Sequence, residues 1–81
     1  METRDTLSKE LNSILKNDVE QTFEDTSVLL DLGVTSITFL ELLVKMEILF
    51  SIEYEDDFLI LDEEKTFGCL LTQTDLLIKK L

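Results

Sequence analysis

The chain has 81 residues, with 18 Asp and Glu against 7 Lys and Arg, a formal net charge of −11, no His, no Pro, no Trp and one Cys. The usual general base and the commonest metal ligand are therefore missing, and an internal disulfide is excluded, so self-contained catalysis and a metal site are not expected. The negative charge repels phosphate backbones and anionic membrane surfaces, which makes nucleic acid a poor partner candidate.

The first predicted element is an amphipathic helix close to the N-terminus. Its apolar residues recur at i, i+4, i+7 and i+8, the spacing of one helix face: Leu7, Leu11, Ile14 and Leu15. Either Thr3 or Asp5 can cap the start of this helix, and the pair at 17–18 is predicted to end it.

A long loop is predicted over residues 19–34. Helical spacing is lost there, yet five apolar residues remain as anchors to the core: Phe23, Val28, Leu29, Leu30 and Leu32. A loop of this length in so small a domain is usually functional or held by its own packing.

Residues 36–50 predict a second, strongly apolar helix, with Gly33 as the break before it. At about 100° per residue, one arc of this helix gathers six predicted core residues: Phe39, Leu42, Leu43, Met46, Leu49 and Phe50. The opposite arc is also apolar and carries two acidic flanks: Ile37, Leu40, Val44 and Ile48, with Glu41 and Glu47. Thr38 and Lys45 form a polar seam between the arcs. Such a helix is either buried all round or presents its second arc to a partner. The second alternative is favoured, because a bundle this small can hardly cover one helix on every side.

The remaining chain predicts a short helix at 58–61 and a solvated acidic connector at 62–65. Thr66 is placed to cap a last helix, whose core face combines five residues: Phe67, Leu70, Leu71, Leu77 and Ile78. The fold expected is all-α: a small four-helix bundle of three main helices and one short helix, in a single domain over 1–81.

Other features point to ordinary surface and core roles. The first six residues are polar and no apolar run approaches the roughly 20 residues that span a bilayer, so a cytoplasmic protein without membrane insertion is expected. Cys69 is interpreted as a buried structural thiol. The acidic clusters at 55–57 and 62–64 lack the spacing of a calcium loop and are interpreted as solvated surface.

Ser36 stands at the start of the second helix, where two interpretations compete. Its oxygen can accept a hydrogen bond from a backbone N–H of the first turn, which is the ordinary role of an N-cap serine. The same unpaired amides and the positive end of the helix dipole also favour a phosphate group, bound or covalently attached.

Around this serine, the residues Leu32-Gly33-Val34-Thr35-Ser36-Ile37 resemble the motif of the acyl carrier and peptidyl carrier proteins. That motif is a glycine, an apolar residue, a variable residue, serine, and Leu or Ile. The order of elements from Leu7 to Leu81 is similar to that family as well. The resemblance implies an acyl-carrier-protein-like bundle with a 4′-phosphopantetheine arm attached covalently to Ser36.

The resemblance further implies a non-catalytic carrier of acyl or aminoacyl groups, held as thioesters on that arm. Expected partners are a phosphopantetheinyl transferase, an acyl- or aminoacyl-loading (adenylating) enzyme, and condensing or acyl-transfer enzymes, with the carrier itself a monomer. The implied partner-binding face is Ile37, Leu40, Glu41, Val44, Glu47 and Ile48.

Two departures from fatty-acid carriers favour a specialised peptide, polyketide or related pathway. Thr35 stands where those carriers often have Asp, and the exposed arc is more apolar than their acidic helix. A start at Met1 favours a free-standing domain. The alternative function is a helical docking module without a prosthetic group, for which Ser36→Ala would be harmless.

Overall fold

The computed structural model describes residues 2–81, so Met1 of the predicted domain lies outside the described residues. Three α-helices account for most of it: α1 (Thr3–Leu15), α2 (Ser36–Phe50) and α3 (Phe67–Lys79), with 3₁₀ turns at Leu30–Leu32 and Asp56–Leu59. Helix α1 packs against both α2 and α3. The mostly helical, all-α prediction is confirmed. A fourth α-helix is not found among these residues, because the predicted short helix is a single 3₁₀ turn that begins at Asp56.

The two ends of α1 differ from the sequence prediction. Glu2 occupies the N-cap position without a side-chain cap hydrogen bond, so neither Thr3 nor Asp5 caps the helix. At the other end Lys16 adopts the left-handed conformation (φ 57°), which ends the helix one residue before the predicted pair. The Lys16 and Asn17 N–H groups then donate to carbonyls of the last turn, which satisfies two otherwise unpaired acceptors.

Asn12 fastens the long loop to α1. Its side chain is buried, and its Nδ2 donates to the carbonyls of Ser8 and Gln21 at 2.9 and 3.1 Å. Its Oδ1 accepts from the Gln21 N–H at 2.9 Å and from Asn17 Nδ2 at 2.8 Å. A buried amide with every polar atom paired fixes the path of the chain as it leaves the helix.

The far end of the loop is tied to the start of α3. Val28 and Thr66 form an isolated antiparallel bridge, flanked by hydrogen bonds from the Leu29 N–H to the Lys65 carbonyl and from the Phe67 N–H to the Ser27 carbonyl, each 2.9 Å. The loop is therefore held by hydrogen bonds at both ends.

Thirteen buried apolar residues form the core, drawn from all three helices and from both connections: Leu7, Leu11, Phe23, Leu29, Val34, Phe39, Leu42, Leu43, Met46, Ile52, Tyr54, Phe67 and Leu70. Four of the six core residues predicted on α2 are among them, and Phe50 is half-buried against them. The prediction for Leu49 is wrong, because this side chain is 40% exposed. It lies at the edge of the core arc and lines a surface cleft together with Thr6 and Lys9 of α1.

Among the predicted loop anchors, Phe23 and Leu29 are buried and Val28 and Leu32 are half-buried. The prediction for Leu30 is wrong, because it is 41% exposed. A 3₁₀ turn begins at this residue, and side chains three positions apart share a face of such a turn. Leu32 therefore lies on the same face as the buried Leu29, and Leu30 does not.

Candidate functional site

The approach to α2 is set by a glycine turn and a buried valine. Gly33 ends the first 3₁₀ turn with a left-handed φ of 98°, a conformation that glycine adopts without steric cost. The next residue, Val34, is 2% exposed, and its N–H donates to the Leu29 carbonyl at 3.2 Å. With Val34 pinned in the core, the two residues that follow it emerge at the surface.

Thr35, and not Ser36, caps the helix. The backbone of Thr35 is extended (φ −103°, ψ 170°), and its Oγ1 accepts a hydrogen bond from the Thr38 N–H at 3.2 Å. In return, the Thr35 N–H donates to Thr38 Oγ1 at 2.8 Å, which completes a reciprocal capping box. The N-cap interpretation of Ser36 is therefore corrected: the cap lies one residue earlier.

Ser36 is the first helical residue of α2, and its side chain is exposed. None of the hydrogen bonds of the capping box uses its hydroxyl. The N–H groups of Ser36 and Ile37 belong to the first turn, so neither has a partner within the helix. An exposed hydroxyl therefore stands beside two amides that have no partner within the helix, at the positive end of a 15-residue helix.

The outer face of α2 is a shallow, predominantly apolar groove of about 440 Å³, which we call the α2 groove and which is lined by Ile37, Leu40, Glu41, Val44, Lys45 and Ile48. The four apolar side chains are 43 to 72% exposed. The sequence allowed α2 to be either buried all round or exposed on its second arc, and the structure shows that it is exposed there. From Ile37 to Ile48 the groove extends for roughly 16 Å at 1.5 Å per residue, starting immediately after Ser36.

Five of the six residues predicted for partner binding line the α2 groove, and Glu47 is the exception. Glu47 is only partly exposed, and its Oε2 accepts a hydrogen bond from the Tyr54 N–H at 2.9 Å. This carboxylate therefore holds the turn that follows α2. Lys45, assigned to a polar seam by the sequence, instead lines the groove next to Glu41.

Two other features of the site region were missed or misplaced at the sequence level. The T-x-x-T spacing of Thr35 and Thr38 matches the positions of a capping box, but it is a weak signal because such boxes usually end in Glu or Gln. The buried assignment of Cys69 is wrong: it is exposed in the first turn of α3, where its N–H donates to Thr66 Oγ1 at 3.0 Å.

No protein-family model matches the chain, and neither a curated protein nor a solved structure matches it. Within residues 2–81, none of the helices combines the length and the apolar character needed to cross a membrane.

Proposed function

We propose that the protein is a carrier that receives a 4′-phosphopantetheine arm on Ser36 and presents cargo on that arm to partner enzymes. The observation that carries the proposal is the state of Ser36 itself. Its side chain is exposed at the first position of α2, while Thr35 performs the capping that the serine would otherwise perform. A serine with no visible structural duty at a helix start is available for modification.

The surroundings of Ser36 suit a phosphodiester. The amides of the first turn and the positive end of the helix dipole offset negative charge at this position. Thr35 and Thr38, the residues of the capping box, are uncharged, so the cap adds no carboxylate repulsion. When bound, the arm would supply a terminal thiol that holds an acyl or aminoacyl group as a thioester.

Attachment would be a simple exchange at phosphorus. Ser36 Oγ would form a bond to the pantetheine-bearing phosphorus of coenzyme A, the pyrophosphate P–O bond would break, and adenosine 3′,5′-bisphosphate would leave. The serine proton would pass to a base of the transferase, since the chain contains no His. The chain itself would contribute the positioned hydroxyl and the docking surface.

The α2 groove is the proposed docking surface for the transferase and for the loading and condensing enzymes. It begins one residue after Ser36, so a partner seated on Leu40, Val44 and Ile48 would have the serine at one end of its footprint. The apolar lining favours hydrophobic contact, and the net charge of −11 favours approach of basic partners. The apolar lining also supports a role in a specialised peptide, polyketide or related pathway.

The test is the intact mass of the protein after incubation with coenzyme A, Mg²⁺ and a broad-specificity phosphopantetheinyl transferase. We expect one phosphopantetheine increment on the wild type and none on Ser36→Ala. Ser13→Ala is the matched control, because Ser13 is also exposed on a helix and should leave the increment intact. Several transferases failing to modify a sample that is folded by circular dichroism would overturn the proposal.

One observation favours a second candidate, a docking module without a prosthetic group. The α2 groove leaves four large apolar side chains exposed, which would suit partner binding whether or not Ser36 carries an arm. In that case a partner would bind the unmodified chain, and Ser36→Ala would bind it equally well. The carrier instead requires complete loss of function in Ser36→Ala with the fold intact.

A further inference from the structure

We infer that Thr35 and Thr38 are positioning residues for the modification of Ser36: their capping box sets the frame in which α2 begins and so keeps the serine hydroxyl out of the cap. This inference rests on the proposed function, and it names the residues that regulate the availability of the modified group. It follows from a competition between two adjacent residues for one structural position.

Thr35 and Ser36 are both good N-cap residues, and only one of them can occupy the N-cap of α2. In the structure Thr35 occupies it with an extended backbone, and Ser36 is already helical. A start shifted by one residue would make Ser36 the cap. Its Oγ would then accept a hydrogen bond from an N–H of the first turn, which would hold the hydroxyl in the cap and lower the nucleophilicity of its oxygen.

The hydrogen bonds of the box favour the observed frame over the shifted one. Thr38 Oγ1 lies 2.8 Å from the Thr35 N and 3.2 Å from the Thr35 carbonyl oxygen, and the two hydroxyl oxygens are 3.1 Å apart. All of these contacts need Thr35 at the N-cap and Thr38 three residues later. In the shifted frame the third residue after the cap is Phe39, whose side chain is buried and has no polar atom to reach back.

The loop before the helix reinforces this frame. Val34 is buried and its N–H donates to the Leu29 carbonyl, so the chain reaches Thr35 from a fixed point. Phe39 is fully buried and its N–H donates to the Thr35 carbonyl at 2.8 Å. Between these two anchors, the identity of the residue at the cap decides whether the Ser36 hydroxyl is engaged or available.

The experiment compares Thr35→Val with the wild type. Valine has nearly the shape of threonine but cannot accept the cap hydrogen bond, so Ser36 becomes the better cap. We expect kcat for phosphopantetheine transfer to fall by about three- to tenfold, which corresponds to the free energy usually lost when an N-cap side chain is removed. KM should change little, because the α2 groove is intact. Thr35→Ser and Thr35→Asn restore a good cap and should restore kcat.

Thr66→Val is the matched stability control. Thr66 caps α3 in the same way, accepting from the Cys69 N–H at 3.0 Å, so its loss should weaken a helix start of the same kind. Removal of this cap should lower global stability but leave kcat for modification of Ser36 unchanged. If Thr66→Val slows modification as much as Thr35→Val does, general destabilisation explains the effect and the inference is overturned.

A second measurement does not depend on modification. The ¹³Cα and ¹³Cβ chemical shifts of Ser36 report whether its backbone is helical or extended. We expect helical values in the wild type and in Thr35→Ser, and a movement toward extended values in Thr35→Val. Unchanged helical values in Thr35→Val would overturn the inference even if the wild type is modified. Failure of the wild type to be modified would instead count against the proposed function, while the shifts still decide which residue sets the helix frame.

Discussion

The hydroxyl oxygens of Tyr54 and Thr74 lie 2.6 Å apart inside the bundle and join the turn after α2 to the middle of α3. Thr74 Oγ1 also lies 2.7 Å from the Leu70 carbonyl oxygen and donates to it, so the proton between the two hydroxyls comes from Tyr54. Both side chains are buried, which makes this pair a polar contact in an apolar interior.

Removal of the two hydroxyls should therefore have unequal effects. In Tyr54→Phe, Thr74 keeps its bond to Leu70, and we expect a loss of about 1 kcal/mol in the free energy of unfolding. In Thr74→Val, the buried Tyr54 hydroxyl is left without its partner, and we expect a loss of about 2 kcal/mol. Urea denaturation followed by circular dichroism measures both values. A double variant no less stable than Thr74→Val alone would establish the coupling, whereas additive losses would contradict it.

Tyr54 also predicts a dependence of stability on alkaline pH. Burial raises the pKa of Tyr54 from 10.0 to about 12, and the negative charge of Glu47 acts in the same direction. Below pH 10 the phenol is protonated in both states and contributes no dependence. Between pH 10 and about 12 the unfolded chain loses this proton and the folded chain retains it, so stability falls as pH rises, by about 1–2 kcal/mol.

Ultraviolet absorbance of tyrosinate checks this prediction directly, because Tyr54 is the single tyrosine and the chain has no Trp. The midpoint should lie near 12 in the native protein and near 10 in concentrated urea. In parallel, the difference in stability between the wild type and Tyr54→Phe should shrink across the same pH window. A native midpoint near 10 would show that the phenol is solvated.

Gly68→Ala should destabilise the protein although alanine is the better helix former. A Cβ atom at Gly68 would lie 2.8 Å from the Asp25 Cβ and 2.9 Å from the Asp25 carbonyl oxygen, closer than unbonded atoms approach. The loop would have to move and would weaken the 2.9 Å hydrogen bond from the Gly68 N–H to that carbonyl. We expect a loss of about 1–3 kcal/mol in the free energy of unfolding.

The control for this variant is Thr72→Ala, at an exposed position of the same helix. Alanine should leave stability unchanged or raise it by a few tenths of a kcal/mol there. The same urea titration measures both variants. Equal stability of Gly68→Ala and the wild type would mean that the loop near Asp25 yields without cost.

Val44→Gln should separate docking from folding. Val44 is 52% exposed on the α2 groove, so its replacement should change the free energy of unfolding by less than about 0.5 kcal/mol. If the groove receives the transferase, KM for the carrier should rise several-fold, about tenfold for each 1.4 kcal/mol of lost contact, with kcat preserved. Leu76→Gln provides the comparison, because Leu76 is 48% exposed but lies on α3, away from the groove. A similar KM for both variants would place docking elsewhere.

Much of the helix pattern followed from the sequence because apolar spacing and capping chemistry are local. Thr66 was predicted as the cap of α3, and the structure confirms it. The end of α1 was predicted to within a residue, and most core residues of α2 fell on the expected arc. Short elements were harder: the run at 58–61 has too few residues to distinguish an α-helix from the 3₁₀ turn that forms at Asp56–Leu59.

The candidate site shows the same division. Ser36 and the apolar arc of α2 were visible in the sequence, because one follows a glycine at a helix boundary and the other is a matter of period. Which residue caps α2 was not visible, since Thr35 and Ser36 are adjacent and chemically alike. The hydrogen-bond partner of Glu47 could not be predicted either, because the position of the Tyr54 N–H depends on how the chain turns after the helix.

The sequence by itself determined the helical class, the three main helices, the second apolar arc of α2 and the serine at its start. Periodicity and charge carry this information, and both act over a few neighbouring residues. The tertiary structure alone decided that Thr35 caps α2, that Leu49 and Cys69 are exposed, and that the loop is fastened through Asn12 and the approach of Asp25 to Gly68. The fastening of the loop depends on contacts between segments distant in sequence. The choice of Thr35 as the cap depends on the burial of Val34 and Phe39 on either side of it, because two adjacent cap residues differ little in free energy.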